Sequence, residues 1–115
     1  MASTTKTKPI KLDHSSIRKL EGAGNYPLWK LSIENVVWAA GIQGVVFGTE
    51  ARHDKDADKQ LAWDVSNRAG MGIILQTLEE KLASHVFACT TAKAMWDTLG
   101  NTYGQSTTWG KQELI

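Results

Sequence analysis

Hydrophobic positions in this chain fall into blocks with helical spacing. From Pro27 onward, Trp29, Ile33, Val36, Val37 and Ala40 recur at intervals that place them on one stripe of an α-helix. Pro27 suits a first turn, where its missing N–H has no partner to lose. Gly41 is suited to stop the helix, and Ile42 to make the apolar contact that follows a glycine cap. The pattern predicts a helix over 27–40. A longer block covers 54–77. Asp54, Asp56 and Asp58 crowd its start, where the helix dipole favours negative charge. Ala57, Leu61, Val65, Ala69 and Ile73 then recur every fourth residue as a predicted core stripe. Gly70 and Gly72 each cost about 1 kcal/mol relative to Ala inside a helix, and mark either close packing or a break. A third helix is predicted near 79–88, with Leu82, Val86 and Phe87 inward. A fourth is predicted near 92–103, capped by Thr90 or Thr91, with Ala92, Met95, Trp96, Leu99 and Tyr103 as its stripe and Gly104 at its end. The final TTWGKQELI has the composition of a fifth helix interrupted by the chain end.

The segments between these blocks have no periodicity. Residues 1–17, rich in Ser, Thr and Lys with Pro9, are expected to form a flexible basic arm, with Ile10, Leu12 and Ile17 available to dock it. Leu20 to Tyr26 is turn material. The stretch GIQGVVFGTE (41–50) has strand-like Val45, Val46 and Phe47, but no second β-run to pair with, and is expected to be a packed loop. Residues 18–115 therefore predict one all-α domain, a small orthogonal bundle of four to five helices. Its expected core is Trp29, Ile33, Val36, Val37, Trp63, Leu78, Leu82, Trp96, Leu99 and Tyr103. Leu28, Trp38 and Trp109 fall outside the stripes and are the candidate interaction surface.

Charge narrows the possible partners. Residues 1–19 hold five basic residues against Asp13 alone, whereas residues 20–115 hold eight basic and eleven acidic ones. The body lacks the electropositive surface that phosphate binding requires. Weak RNA contact is expected only through Lys6, Lys8, Lys11, Arg18 and Lys19, or through a region downstream of this sequence. The single cysteine, Cys89, excludes an intramolecular disulfide or a zinc knuckle, and its apolar neighbours suggest a buried thiol. His14, His53 and His85 show no ligand spacing, so no metal or cofactor is expected. The glycine pairs in GAGNYP and GMGII lack the third glycine of a dinucleotide loop. Asp97-Thr98-Leu99-Gly100 departs from the aspartic-protease Asp-Thr-Gly by the inserted Leu99. Five Trp at 29, 38, 63, 96 and 109 show no repeat period. These features predict a non-enzymatic protein. With no apolar run of roughly 20 residues and no secretory signal, an intracellular, cytoplasmic protein is expected.

Leu20-x-Gly22, Asn25-Tyr26-x-x-Trp29, a helix, and Gly44-Val45-Val46-x-Gly48-Thr49-Glu50 together resemble the opening of copia-type LTR retrotransposon Gag polyproteins. The second half is similar in order and spacing: Trp63, Ile73 or Ile74, Leu78, Leu82, His85-Val86, Thr91-Ala92-Lys93-Ala94-x-Trp96-x-x-Leu99 and Tyr103. The resemblance runs from about residue 18 to the end. It departs at Gly22-Ala23-Gly24-Asn25, which is one residue longer than the family's usual step, and the family's zinc knuckle, protease, integrase, reverse transcriptase and second capsid half are absent from this sequence. The resemblance implies a capsid N-terminal-like domain that self-associates, weakly in this stretch alone, into virus-like particles around the element's RNA. The alternative it leaves open is a Gag-derived host protein serving as a protein-binding adaptor or regulatory domain. No membrane partner is implied.

Overall fold

Pro27 does occupy the first turn of a helix. In the computed structural model, which describes residues 16–104, α1 spans Tyr26–Ala40 and buries Tyr26, Trp29, Ile33 and Val37 on one side. Gly41 ends it at φ 75°, a conformation that glycine adopts without Cβ strain. The Gly41 N–H donates to the Trp38 carbonyl and the Ile42 N–H to the Val37 carbonyl, at 3.0 and 3.2 Å. Buried Ile42 and Val37 supply the apolar contact that accompanies this Schellman arrangement.

The expected loop at 41–50 instead contains a short helix, α2, Gln43–Phe47. Five residues with Gly44 among them and Gly48 at their end carry little helical preference of their own. Burial of Val45 and Val46 fixes the turn, and Gly48 closes it at φ 89°. From there to Asp56 the chain is irregular but tied down. Arg52 bonds Asp64 through two N–H donors at 2.9 and 3.0 Å, and His53 Nδ1 accepts the backbone N–H groups of Lys55 and Asp56.

The long helix, α3, covers Ala57–Gln76 and starts three residues later than the sequence pattern suggests. Asp56 is its N-cap, accepting from the Asp58 and Lys59 amides; Asp54 lies outside it. The predicted every-fourth stripe is wrong over most of its length: Ala57, Leu61, Val65 and Ala69 are exposed, and only Ile73 is buried. Four-residue steps advance about 400° around a 3.6-residue helix, so such a row winds off any fixed face. The inward face instead runs through Asn67, Gly70, Ile74 and, just past the helix, Thr77. Trp63 lies on the same side but is only half-buried, and does not belong to the core as expected; its indole N–H donates to the Glu50 carbonyl at 2.9 Å.

The expected helix at 79–88 shrinks to α4, Glu80–Ala83, followed by turns to Phe87. Leu82 and Val86 are buried as expected, but Phe87 is exposed. Thr91, not Thr90, caps α5 (Ala92–Leu99), its hydroxyl accepting the Ala94 N–H at 3.0 Å. The predicted continuation to residue 103 is a π-helical turn, Gly100–Gly104. The described residues thus form an all-α fold of five helices, in which one isolated bridge takes the place of strands: Leu20 N–H donates to the Thr77 carbonyl and Leu20 O accepts from Glu79.

The core unites Leu20, Trp29, Ile33, Val37, Leu78, Leu82, Met95 and Leu99, with Val36, Trp96 and Tyr103 packed against it. Of the expected core residues, Trp63 falls outside it, as do Ala57, Leu61, Val65 and Ala69 of the predicted α3 stripe and Phe87. At Gly70, α3 packs closely against α2 and α5: a Cβ there would lie 2.6 Å from Val46 Cγ2 and 2.9 Å from Ala92 Cβ. No described helix is long and apolar enough to cross a membrane.

Candidate interaction surface

The groups with chemical potential are engaged in structural contacts. His53 folds its ring onto its own loop, and His85 stands edge-on to Tyr103 with ring centroids 6.1 Å apart. Cys89 is partly buried, with Sγ 3.9 Å from the Thr98 hydroxyl. Asp97 pairs with Lys93 along α5. Among the described residues, no three His, Cys, Asp or Glu side chains gather as a metal site would require. His14 lies outside the described residues.

Burial raises the pKa of the Tyr26 phenol, and the nearby Glu34 and Asp97 carboxylates raise it further. Burial also raises that of Tyr103. The Asp64 carboxyl is held below its usual range, first by the hydrogen bond from Arg52, whose guanidinium rises in turn. These shifts belong to packing and to a loop latch; no two of the affected groups form an acid–base pair aimed at a common space.

The surface is more informative. Leu28 and Trp38, the candidate contact residues on α1, are each 62% exposed, and Leu31 is 55% exposed between them. Together with Asn35 they line the side of α1 opposite Trp29, Ile33 and Val37. The helix is therefore apolar on two faces, one filled by the core and one open. Trp109, the third candidate, lies outside the described residues.

A second exposed apolar row lies on α3, where Leu61 and Val65 are 63% and 61% exposed beside Arg68. Phe87 stands 76% exposed after α4. Sequence reasoning assigned these three to the core and overlooked Leu31 and Asn35. The three-four-three spacing of 28, 31, 35 and 38 was the available signal. Beside the start of α1, a hollow of about 400 Å³ is lined by Ile17, Arg18, Asn25, Leu28, Trp29 and Ser32. Its mixed lining gathers no set of converging polar groups.

The basic residues that the structure describes at this end are partly committed. Arg18 pairs with Glu21 at 3.1 Å, while Lys19 is exposed and offers its backbone carbonyl to Asn25. Lys6, Lys8 and Lys11 lie outside the described residues. Asn25 organises the turn before α1, accepting the Glu21 N–H at 2.9 Å as well as donating to Lys19. Asn67 was also missed, though it joins distant segments: its Oδ1 accepts the Ala92 N–H at 2.7 Å and its Nδ2 donates to the Thr90 carbonyl at 3.3 Å. No family model, curated protein or solved structure matches this chain.

Proposed function

We propose that this chain is a structural self-assembly module, the N-terminal capsid-like part of a copia-type Gag, acting through protein contacts without catalysis of its own. The observation that carries the reading is the second apolar face of α1. Leu28, Leu31 and Trp38 are exposed on the side of α1 opposite its core residues, and large apolar side chains grouped on one face of a folded domain favour association. A further support is the use to which the resembling positions are put. Leu20 bridges to the end of α3, Asn25 shapes the entry turn, and Tyr26, Trp29, Leu78, Leu82, Val86 and Leu99 are buried. The resemblance thus rests on residues that determine the fold. In this reading the shell forms in the cytoplasm, and RNA is held by the basic residues of the N-terminal arm.

Light scattering of the full chain over a concentration series tests the proposal. The mean mass is expected to rise reversibly above that of a single 12.6 kDa chain. A mass fixed at the monomer value throughout would sink the assembly reading and favour a Gag-derived adaptor.

A further inference from the structure

Leu28, Leu31, Asn35 and Trp38 have the a-d-a-d spacing of a two-stranded helical seam. The Asn35 side chain is exposed and has no hydrogen-bond partner among the described residues. We infer that this face of α1 pairs with the same face of a second copy, about a two-fold axis running beside Asn35. The inference rests on the self-association reading and names its contact surface.

The charge of this face is compatible with a second copy of itself. From Tyr26 to Ala40 the only ionic side chains are Lys30 and Glu34, which lie off the seam and bond each other at 2.6 Å. The seam offers nothing for an oppositely charged partner to read, and two such faces meet without repulsion. The α3 row differs, because Arg68 follows Leu61 and Val65 along it. Asp64 lines the same row, which thus carries charge of both signs where the α1 seam carries none.

A single Asn at an a position is the device that fixes register in paired helices, because the two amides satisfy each other only when aligned. At α1 it places Asn35 against Asn35 of the second copy, with Leu31 and Trp38 closing the seam on either side. The size of the patch sets the strength. Ten residues of helix span about 15 Å. An interface of that length falls below about 1,200 Å² in total, the range of weak, reversible contacts. A weak dimer also suits a protomer whose core is already filled by its own side chains.

Sedimentation equilibrium of the full chain, from about 10 µM to about 1 mM, provides the test over the range where so small an interface associates. A reversible monomer–dimer equilibrium is expected. Leu31→Asp should weaken it at least about tenfold, and Leu61→Asp should leave it unchanged. Asn35→Leu should strengthen it, since the amide costs the seam stability. Leu31 and Asn35 are exposed in the monomer, so circular dichroism should show each variant folded as the parent is. Mild oxidation of Asn35→Cys should give a covalent dimer that the parent, with Cys89 alone, does not. A dimer that survives Leu31→Asp but is lost with Leu61→Asp would overturn this face and leave self-association standing. So would association indifferent to both Leu31→Asp and Asn35→Leu. A parent that remains monomeric throughout removes the inference together with the self-association reading.

Discussion

The side chain on which the fold depends most is Trp29. It is 1% exposed, packs against Tyr26 and Trp96 at ring-centroid distances of 5.9 and 5.7 Å, and donates its indole N–H to Thr77 Oγ1 at 3.0 Å. Thr77 is buried, and its hydroxyl also faces the Ile73 and Ile74 carbonyls, so one contact joins α1 to the end of α3. Trp29→Ala should therefore destabilise the protein by about 3–5 kcal/mol, measured by denaturant titration. Thr77→Ala should cost about 1–3 kcal/mol through the orphaned indole donor. Trp96→Ala should cost less than Trp29→Ala, because Trp96 is only half-buried. Equal losses for the two tryptophans would contradict this ranking.

Tyr26 gives a second residue-scale test, in alkali. Its folded pKa is raised by burial and then by Glu34 and Asp97, so the folded state holds the phenolic proton more tightly than the unfolded chain does. That contribution is fully present below the ordinary phenol value near 10 and is lost as pH rises through the elevated folded value. Tyr26→Phe should accordingly lose less stability than the parent between roughly pH 9 and 11, when thermal melts are compared at each pH. Parallel pH profiles would show that Tyr26 ionises without penalty.

At the scale of elements, what could be read in advance depended on whether a helix carries its own signals. α1 was legible because Pro27, a 3.6-period stripe and Gly41 all agree. α5 was legible because Thr91 and a stripe from Ala92 to Leu99 agree. α2 was not, because tertiary packing of Val45 and Val46 makes five residues helical where local preference does not. α3 was legible as a helix but not in its orientation. Its buried side includes Asn67 and Gly70, which hydropathy does not mark, while Leu61 and Val65 look like core and face outward. The two glycines of α3 separate the possibilities left open by the sequence. Gly70→Ala places a methyl group against Val46 and Ala92, and should destabilise by about 1–3 kcal/mol despite the better helix former. Gly72 has nothing within 4 Å of its missing Cβ, so Gly72→Ala should stabilise by up to about 1 kcal/mol. Chemical denaturation of both variants decides the matter; the same sign for both would mean that α3 does not pack through Gly70.

At the scale of the whole molecule, the candidate surface was half visible. Leu28 and Trp38 stood out by lying off the core stripe, but recognising a second seam required the burial pattern that closes the first. Charge was visible throughout, and it divides the molecule. Among the described residues, Arg18, Lys30, Arg52 and Lys93 are each paired with a carboxylate, and acidic side chains outnumber basic ones, which disfavours a phosphate backbone. The surplus of positive charge lies in the first nineteen residues. Binding to nucleic acid scales with the counterions that protein cations release, at about 0.9 per phosphate neutralised on a duplex and about 0.7 on a single strand. RNA affinity of the full chain should then depend on Lys6, Lys8 and Lys11. Replacing all three with Gln should abolish measurable binding at physiological salt, and should lower the slope of log affinity against log salt by about 2 where binding can still be followed at low salt. Fluorescence anisotropy with a labelled single-stranded RNA across a salt series reads both quantities. All three residues precede Ile17, the first described residue packed against the core, so the thermal melt should not change. Undiminished, salt-sensitive binding by the triple variant would place the RNA contact on the helical body, against its excess of acidic residues.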